Sequence, residues 1–581
     1  MNDFAVGIDL GTSTSEICIY KNHDAVPLPD PITKMPIVPS IVAVNRNGEL
    51  LVGEAARGLV DVAGQGIREV KRKMGSSETV CLFKQGYRPE EISALILRKL
   101  KENAEEALGA TIRDVVLSVP ANFPDAARQA TLNAGKLAGL NILRLINEPT
   151  AAALAFGIKN IEAEEQLVVF DFGGGTLDIT VLEMVAGVLD VKSSFGNPQL
   201  GGKDFDEALM ALIREKFTAE HPGAEVSDIS LRHLKEVAET TKKVLSNQRS
   251  HEVRIPFFAA QGGKPVDLEV EITRREFEQA IAPLLDQARD CVNQALKAKK
   301  LRPEAIDRIL LVGGTTYIPA VRQLVFEIFG KEPKADVNPD LAVGMGAAIQ
   351  AALAKGLISE ESGVILTDVA PFGLGIGALT LVGRQPMMSY DALIQPNTTI
   401  PYSVKREYSL LHAEQRQVEL RLYQDHTGNA RLLSEVVDTG IVGEITDIPP
   451  APDGKPYPVE VEFSYDINGI ARVKASIRAI GKSVEIAYGQ SDKRMDQQEM
   501  TQAAGRIRDL WRQNAKARQY EGLIDRAERF MAAIPPDERY PLSDVVLDLK
   551  AALAANNAEQ IEAVGDRLVD LMFDLDDGLG G

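Results

Sequence analysis

The chain has 581 residues, of which 45% are hydrophobic and 25% charged. This composition is ordinary for a globular protein, and at ~100–200 residues per domain the length predicts several domains. The formal net charge of −19 argues against a general nucleic-acid-binding protein, which would present a basic surface. The beginning of the chain lacks a signal-peptide pattern, and no apolar stretch reaches the ~18–20 residues of a membrane helix. We therefore expect a cytoplasmic protein with neither a nucleic-acid nor a membrane partner.

The three cysteines, Cys18, Cys81 and Cys291, lie far apart and fit neither a disulfide framework nor a zinc-binding spacing. Cys18 lies in a strand-like pattern, and we expect it to be a buried hydrophobic residue. This cysteine usage agrees with a reducing compartment.

Residues 1 to about 360 alternate strand-like and helix-like segments, which is typical of an α/β domain. The periodicity predicts helices at 89–108, 125–140, 275–299 and 342–355, and buried strands at 115–119 and 309–312. The helix at 342–355 is rich in alanine and glycine, so we expect it to pack closely against other backbone.

Two segments in this region, 162 residues apart, repeat one pattern: a strand, an aspartate, and a glycine turn with a threonine. The first runs through residues 5–14 with Asp9, and the second through residues 167–178 with Asp171. Glycine turns let backbone N–H groups approach phosphate oxygens, and an aspartate at a strand end is a suitable ligand for Mg²⁺ or its waters. Two such hairpins facing each other would hold a polyphosphate from both sides.

The rest of the chain changes character twice. From about residue 370 to 490, apolar and polar residues alternate with period two, which predicts half-buried antiparallel strands, with Asn468-Gly469 as a two-residue hairpin turn. From Asp492 onward, apolar residues recur at helical spacing, and Pro535-Pro536 separates two helices. We expect Trp511 to be a core or interface residue.

Three further motifs resemble those of one known protein family. The segments Ile146–Ala153, Phe172–Asp178 and Leu311–Gly314 closely resemble the seventy-kilodalton heat-shock chaperones of the DnaK type, and the short first lobe resembles the HscC-like branch. The resemblance implies four parts: an actin-like α/β ATPase domain of two lobes (1–362), a linker (363–369), an all-β sandwich substrate domain (370–490) and an all-α helical lid (491–577). It implies an ATP-dependent molecular chaperone that binds and hydrolyses ATP with Mg²⁺, with K⁺ as a further candidate ion.

The resemblance also implies roles for individual residues. The catalytic candidates are Lys71, Glu148, Asp171 and Thr176. The Mg²⁺ candidates are Asp9, Asp171 and Asp178. The phosphate-binding candidates are Gly11, Thr12, Ser13, Gly173, Gly174, Gly175 and Thr176. The ribose and adenine candidates are Glu239, Lys242, Lys243, Ser246, Gly313, Gly314, Tyr317 and Asp340. Tyr317 stands where the family usually has an arginine that stacks on adenine, and an aromatic ring can also stack.

A second set of candidates connects the nucleotide to a peptide. Pro120, Arg144 and Asp368 resemble the family's interdomain relay. The residues that align with the apolar peptide cleft are Ile376, Leu379, Tyr408, Leu411, Val418 and Leu420. The resemblance implies unfolded client polypeptides and a J-domain co-chaperone as partners of a mainly monomeric protein, and leaves the need for a nucleotide-exchange factor open.

Two other classes share the phosphate hairpins. An actin-like sugar or metabolite kinase would have no use for the linker, the β domain and the lid, and a filament-forming ATPase would polymerise with ATP. A Walker A loop is absent, because Ser476 stands at the required first glycine before Gly481-Lys482-Ser483.

Overall fold

The architecture was obtained as a computed structural model, which describes residues 4–579 except 61–63, 159, 161–162, 334–337, 359–363, 383–384, 488–494, 513–518, 535–538 and 556. The predicted helix break at Pro535-Pro536 and the predicted boundaries near 362 and 490 lie outside the described residues. In the part of the chain that is described, no helix is both long enough and apolar enough to cross a membrane.

The first lobe is built on a mixed sheet in the order β11-β10-β1-β2-β3, with β4 also paired to β2. Its strands are β1 (Ala5–Leu10), β2 (Thr14–Lys21), β3 (Asp24–Pro27), β4 (Ile37–Pro39), β5 (Ile41–Val44), β6 (Leu50–Val52), β7 (Gly66–Arg68), β8 (Val80–Leu82), β9 (Gln85–Tyr87), β10 (Asp114–Val119) and β11 (Asn141–Asn147). Its helices are α1 (Pro89–Leu108), α2 (Asp125–Leu137) and α3 (Glu148–Gly157).

The second lobe repeats this plan, with a sheet in the order β18-β12-β13-β14-β19. Its strands are β12 (Glu165–Phe172), β13 (Leu177–Val185), β14 (Val188–Asn197), β15 (Glu225–Val226), β16 (Ser250–Gln261), β17 (Lys264–Thr273), β18 (Arg308–Val312) and β19 (Ile365–Leu366). The helices that follow are α4 (Gly202–Glu220), α5 (Asp228–Asn247), α6 (Arg274–Ala298), α7 (Pro319–Phe329) and α8 (Ala342–Ala354).

Helix α8 packs closely against other backbone, as its composition predicts. A Cβ atom added at Gly346 would lie 1.7 Å from the carbonyl oxygen of Ala151 in α3, and one added at Gly7 in β1 would lie 2.0 Å from the amide nitrogen of Ala348. Such approaches are possible only without side chains. The two lobes therefore meet through a tightly packed helix pair, α3 and α8, beneath the cleft.

The third part is a β sandwich, which confirms the all-β prediction. One sheet has the order β22-β21-β25-β26 and the other β24-β27-β28-β29. The strands are β20 (Asp368–Val369), β21 (Gly373–Val382), β22 (Gln385–Ile394), β23 (Thr399–Ile400), β24 (Tyr402–Ser409), β25 (Val418–Asp425), β26 (Val437–Ile445), β27 (Pro458–Tyr465), β28 (Ala471–Ile477) and β29 (Lys482–Ala487). The predicted two-residue turn is wrong: Tyr465 pairs with Ala471, and the Asp466 N–H donates to the carbonyl of Ile470, which makes the connection longer.

The C-terminal part is helical, as predicted, and it rests on the first lobe. It comprises α9 (Gln497–Trp511), α10 (Gln519–Ala533), α11 (Arg539–Ala554) and α12 (Ala558–Leu579). Helix α9 packs on α1 and α2, and α10 packs on residues 53–59 so closely that a Cβ at Gly522 would lie 2.4 Å from the Cα of Ala55. The C-terminal helices are thus attached to the first lobe.

Candidate functional site

The two glycine turns face each other across the cleft between the lobes. The first turn (Gly11, Thr12, Ser13) joins β1 to β2, and the second turn (residues 173–176) joins β12 to β13. A Cβ at Gly174 would lie 2.2 Å from the Ser13 hydroxyl, and one at Gly175 would lie 2.7 Å from Thr12. Glycine at these positions is therefore what allows the turns to converge. The pair forms the two-sided phosphate cradle that the sequence predicts in outline.

The three candidate metal carboxylates lie at the strand ends beside these turns. Asp9, the next-to-last residue of β1, accepts a hydrogen bond from the Ser118 hydroxyl, while Asp178 accepts one from the Asn122 amide. Asp171 and Asp178 are direct partners in the β12–β13 register. Burial raises the pKa of each carboxyl, that of Asp178 to about 6, so the site favours a nearby positive charge.

One carboxylate oxygen in this group, Oδ2 of Asp171, is buried without a hydrogen-bond partner. An orphaned buried oxygen of this kind suits a hard cation or its waters. Among the described residues, no group of three or more His, Cys, Asp or Glu side chains is close enough to hold a metal directly. The donor set therefore fits Mg²⁺ held through its own water shell.

Lys71 and Glu148 form a buried ion pair next to the carboxylates. Lys71 lies on the short helix Val70–Lys73, and its ammonium donates to Oε1 of Glu148, the first residue of α3. Burial by itself lowers the pKa of Lys71, but Glu148, Asp9 and Asp171 together raise it, so the lysine stays charged. Burial and the charge of Asp9 raise the pKa of Glu148 to about 7 despite the lysine.

Thr176 completes the candidate catalytic group. It is half-buried, and it lines the same cavity as Lys71 and Thr12. The structure therefore brings the catalytic candidates and both turns into one cluster at the base of the cleft. A cation and a hydroxyl beside two glycine turns suit phosphoryl transfer to water, since positioning and charge neutralisation dominate that reaction.

Sequence reasoning missed Arg72, the neighbour of Lys71. Its guanidinium donates to the carbonyl of Gly175 at 2.6 and 3.1 Å, and to Asp204 of α4 at 2.9 Å. Arg72 belongs to the first lobe and both acceptors to the second, so this side chain ties the lobes together beside the phosphate cradle. In the sequence, Arg72 is one member of a basic run, and no local feature distinguishes it from Lys73.

The candidates for the ribose lie on one face of α5, and ion pairs hold them. Lys242 pairs with Asp206 at 2.7 Å and donates to the carbonyl of Gly202 at 2.9 Å. Lys243 pairs with Glu239 at 2.7 Å. Burial alone would raise the pKa of Glu239, but the lysine charges lower it to about 2. The Ser246 hydroxyl donates to the carbonyl of Lys242 at 3.1 Å, within the helix.

The adenine candidates lie where β18 ends. Gly313 has a φ of +81°, and a Cβ there would lie 2.6 Å from the carbonyl oxygen of Phe172, so glycine is required. A Cβ at Gly314 would lie 3.5 Å from a carboxylate oxygen of Asp340. The ring of Tyr317 is 42% exposed, and its hydroxyl group interacts with Asp340. Burial raises the pKa of Asp340, while the Tyr317 hydroxyl and the charge of Lys243 on α5 act in the opposite direction.

The predicted linker and the relay candidates lie between the two lobes and the β sandwich. Strand β19 of the linker extends the second-lobe sheet by parallel pairing with β14. Asp368 is buried and accepts hydrogen bonds from Asn147 at 2.8 Å and Thr150 at 3.4 Å. Arg144 donates to Gln350 at 3.3 Å. Burial lowers the pKa of Arg144, and the negative charge of Asp368 partly opposes this shift. Pro120, at the end of β10, accepts from the N–H of Phe123.

Two further docking residues carried no signal in the sequence. Arg128 of α2 is buried and donates to the Asn147 side chain at 2.8 Å and to the carbonyl of Asn468 at 3.3 Å. The side-chain oxygen of Asn468 accepts the N–H of Leu145 at 2.9 Å. The sequence indicated Asn468 only as a turn residue, whereas the structure places the turn on the first lobe.

The six peptide-cleft candidates divide into two groups. Ile376 and Leu420 are 6% and 5% exposed and belong to the sandwich core. Leu379 and Leu411 are 47% and 68% exposed. Val418 and Tyr408 are partly buried, and the Tyr408 hydroxyl donates to Asp391 at 2.8 Å. The exposed pair is available for contact with a partner, and the buried pair is held by the sandwich.

Comparison with known proteins agrees with this architecture. The family described as "Hsp70 protein" matches residues 5–575 of the chain. A protein named "Chaperone protein DnaK" from Thermosipho melanesiensis is 36% identical, and its namesake from Thermotoga maritima is 37% identical. Each alignment covers 97% of this chain and 95% of the relative. The chain therefore belongs to the Hsp70 protein family.

Proposed function

We propose that this ATP-dependent chaperone of the Hsp70 family hydrolyses ATP between its two lobes and uses the docked linker to pass that event to the β domain. The observation that carries the proposal is the convergence of both glycine turns on the buried Lys71–Glu148 pair. The domain assignment follows the sequence: 1–362 for the ATPase, 363–369 for the linker, 370–490 for the substrate domain and 491–577 for the lid.

The roles of the site residues follow from their chemistry. Backbone N–H groups of the two turns bind the β- and γ-phosphate oxygens, and the Lys71 ammonium neutralises charge that develops on the γ-phosphoryl group. The Thr176 hydroxyl and the Glu148 carboxylate orient the attacking water. Asp9, Asp171 and Asp178 hold hydrated Mg²⁺, which supplies further charge neutralisation when bound. The P–O bond to ADP breaks as water's oxygen bonds to phosphorus, which yields ADP, inorganic phosphate and a proton.

Coupling to the β domain rests on the contacts of the linker. Asp368 lies among Asn147 and Thr150, at the junction of β11 and α3, and α3 begins at Glu148. Glu148 is therefore the chain neighbour of Asn147, which contacts the linker. A shift of Glu148 during hydrolysis can reach the linker through this adjacent residue. Arg144 and Pro120 flank the same region. We assign to this chain the docked arrangement, in which linker, β-hairpin loop and lid all rest on the ATPase domain.

The clients are unfolded polypeptide segments, which bind the β domain through backbone hydrogen bonds and apolar side chains. The exposed Leu379 and Leu411 support this role. We assign a J-domain protein as the co-chaperone that stimulates hydrolysis, a monomeric state and a cytoplasmic location; the net charge of −19 speaks against nucleic acid as a partner.

The test is steady-state ATP turnover measured alone, with an unfolded peptide, and with candidate J-domain proteins, in potassium and in sodium buffer. We expect peptide and the J-domain protein to raise turnover together. ATP turnover that does not change with peptide but increases with a sugar or another metabolite would support a kinase instead. Sedimentation of polymers with ATP would support a filament-forming ATPase.

A further inference from the structure

A cavity of about 400 Å³ continues the catalytic centre toward the β domain. Its inner lining includes Thr12, Lys71 and Thr176, which are the residues around the γ-phosphate position. Its outer lining includes Phe372 and His426 of the β domain. The residues that line this cavity include none of the ribose and adenine candidates. The cavity therefore adjoins the phosphate side of the catalytic centre, not the nucleoside side.

A second cavity adjoins the first. A neighbouring cavity of about 470 Å³ shares Phe195, Gln294, Pro396, Asn397 and His426 with the first. Its outer lining adds Lys297 and Lys299, at the end of α6. These two adjoining cavities, which we call the rear passage, have Lys71 and Thr176 in the lining of the first and two lysines in the lining of the second.

The size and charge of the rear passage suit inorganic phosphate. The inner cavity has more than ten times the ~30 Å³ that a water molecule occupies in the liquid, so it can hold a hydrated anion. Lys71 and Arg72 in the first lining and the two lysines in the second attract a negative charge. After hydrolysis, ADP fills the front of the cleft, and phosphate formed behind it has the rear passage as its route.

The outer wall of the rear passage belongs to the docked β domain. Asn397 connects this wall to the second lobe, because its side-chain oxygen accepts the N–H of Ser194 in β14 at 2.9 Å. The His426 ring packs on Phe372, with ring centroids 4.4 Å apart. When the β domain moves, this wall moves with it.

We propose that inorganic phosphate leaves the catalytic centre through the rear passage, and that the docked β domain limits the rate of its release. This proposal rests on the ATP hydrolysis proposed above and adds the order of events that follow it. Movement of the β domain opens the passage, so phosphate is lost as the domains separate. Loss of phosphate then prevents reversal of the hydrolysis step.

The test is a single turnover of ATP by the full chain, which starts from the docked, ATP-bound form. Chemical quenching measures hydrolysis, and an excess of a fluorescent phosphate sensor measures phosphate release. Gln294 is exposed and lines both cavities, so Gln294→Trp narrows the passage without disturbing the core. The matched control is Asn293→Trp, which places the same ring on the preceding residue of α6, also exposed but not part of either lining. Gln199 also lines the inner cavity, and Gln199→Trp serves as the second blocking variant.

We expect Gln294→Trp to slow phosphate dissociation about tenfold, a barrier increase of ~1.4 kcal/mol, with Asn293→Trp unchanged. Asn397→Gly removes the bond to Ser194 while suiting the φ of +60° at this position, and should speed dissociation. Equal phosphate dissociation in the blocking variants and the control, or phosphate release that coincides with hydrolysis in every protein, would overturn the rear passage. Unaltered dissociation in Asn397→Gly would overturn the gating role of the β domain. Absence of ATP turnover in the unmodified chain, measured separately, would instead count against the proposed function.

Discussion

Trp511 is the single tryptophan of the chain, and it reports directly on docking of the lid. Its indole N–H donates to Oε1 of Glu102 in α1 at 2.6 Å, and the guanidinium of Arg98 lies 4.8 Å from the ring centroid. The ring is 7% exposed and belongs to the first-lobe core. Glu102→Ala removes the acceptor and leaves the tryptophan in place as a fluorescent probe.

The magnitude follows from the contact. A hydrogen bond to a charged group contributes ~1.5–3 kcal/mol. Because the side chain of Glu102 is 46% exposed, screening reduces this to ~1 kcal/mol, or about a fivefold change in the docking equilibrium. If ATP binding requires docking, linkage passes the change to the nucleotide. We therefore expect the apparent Kd of a non-hydrolysable ATP analogue to rise up to about fivefold.

The assay is titration of Trp511 fluorescence with the ATP analogue and, separately, with ADP. The ADP affinity should be unaltered, because the undocked form does not use the contact. Glu215→Ala removes an equivalent charge from an exposed position of α4 and should leave both affinities unaltered. If Glu102→Ala weakened both nucleotides equally, or neither, the link between lid docking and ATP binding would be refuted.

Three more predictions concern the ATPase domain. Lys71→Met should lower ATP turnover by a factor of about 10²–10⁴ while nucleotide binding stays measurable, and unaltered turnover would remove Lys71 from the site. Lys99→Met should destabilise the fold by ~3–5 kcal/mol in urea unfolding, because the buried carboxylate of Asp30, 3.2 Å away, loses this cationic partner and keeps only hydrogen bonds. Burial alone would raise the pKa of Asp30, but Lys99 and hydrogen bonds hold it below its usual value. The stabilisation of the fold by this pair should therefore exist near neutral pH and disappear as the pH falls below ~4. A loss of unfolding free energy in Lys99→Met that does not depend on pH would contradict this. Tyr317→Ala should weaken ADP binding by ~0.5–1.5 kcal/mol in calorimetry, and Tyr317→Arg should not; equal losses would exclude stacking.

Docking contacts illustrate what local sequence could not show. Arg128 joins α2 to a β-domain turn 340 residues away, and Asn468 reaches Leu145 across 323 residues. Each bond depends on how whole domains are placed, so neither residue type nor spacing indicates it. The predicted peptide cleft has the same difficulty, since alternation predicts which residues of a strand share a face but not whether that face meets a core or a partner.

The sequence by itself determined the parts and their order: two glycine hairpins, the α/β periodicity, a period-two region and a helical end. These are local properties, because glycine, aspartate and hydrophobic periodicity act within a few residues. Tertiary structure decided how the parts meet. It brought Thr12 against Gly175 and Lys71 against Glu148, joined the lobes through Arg72, and attached the lid to α1. Those contacts arise from packing between distant segments, and they turn two phosphate-binding turns into one site that can sense the β domain.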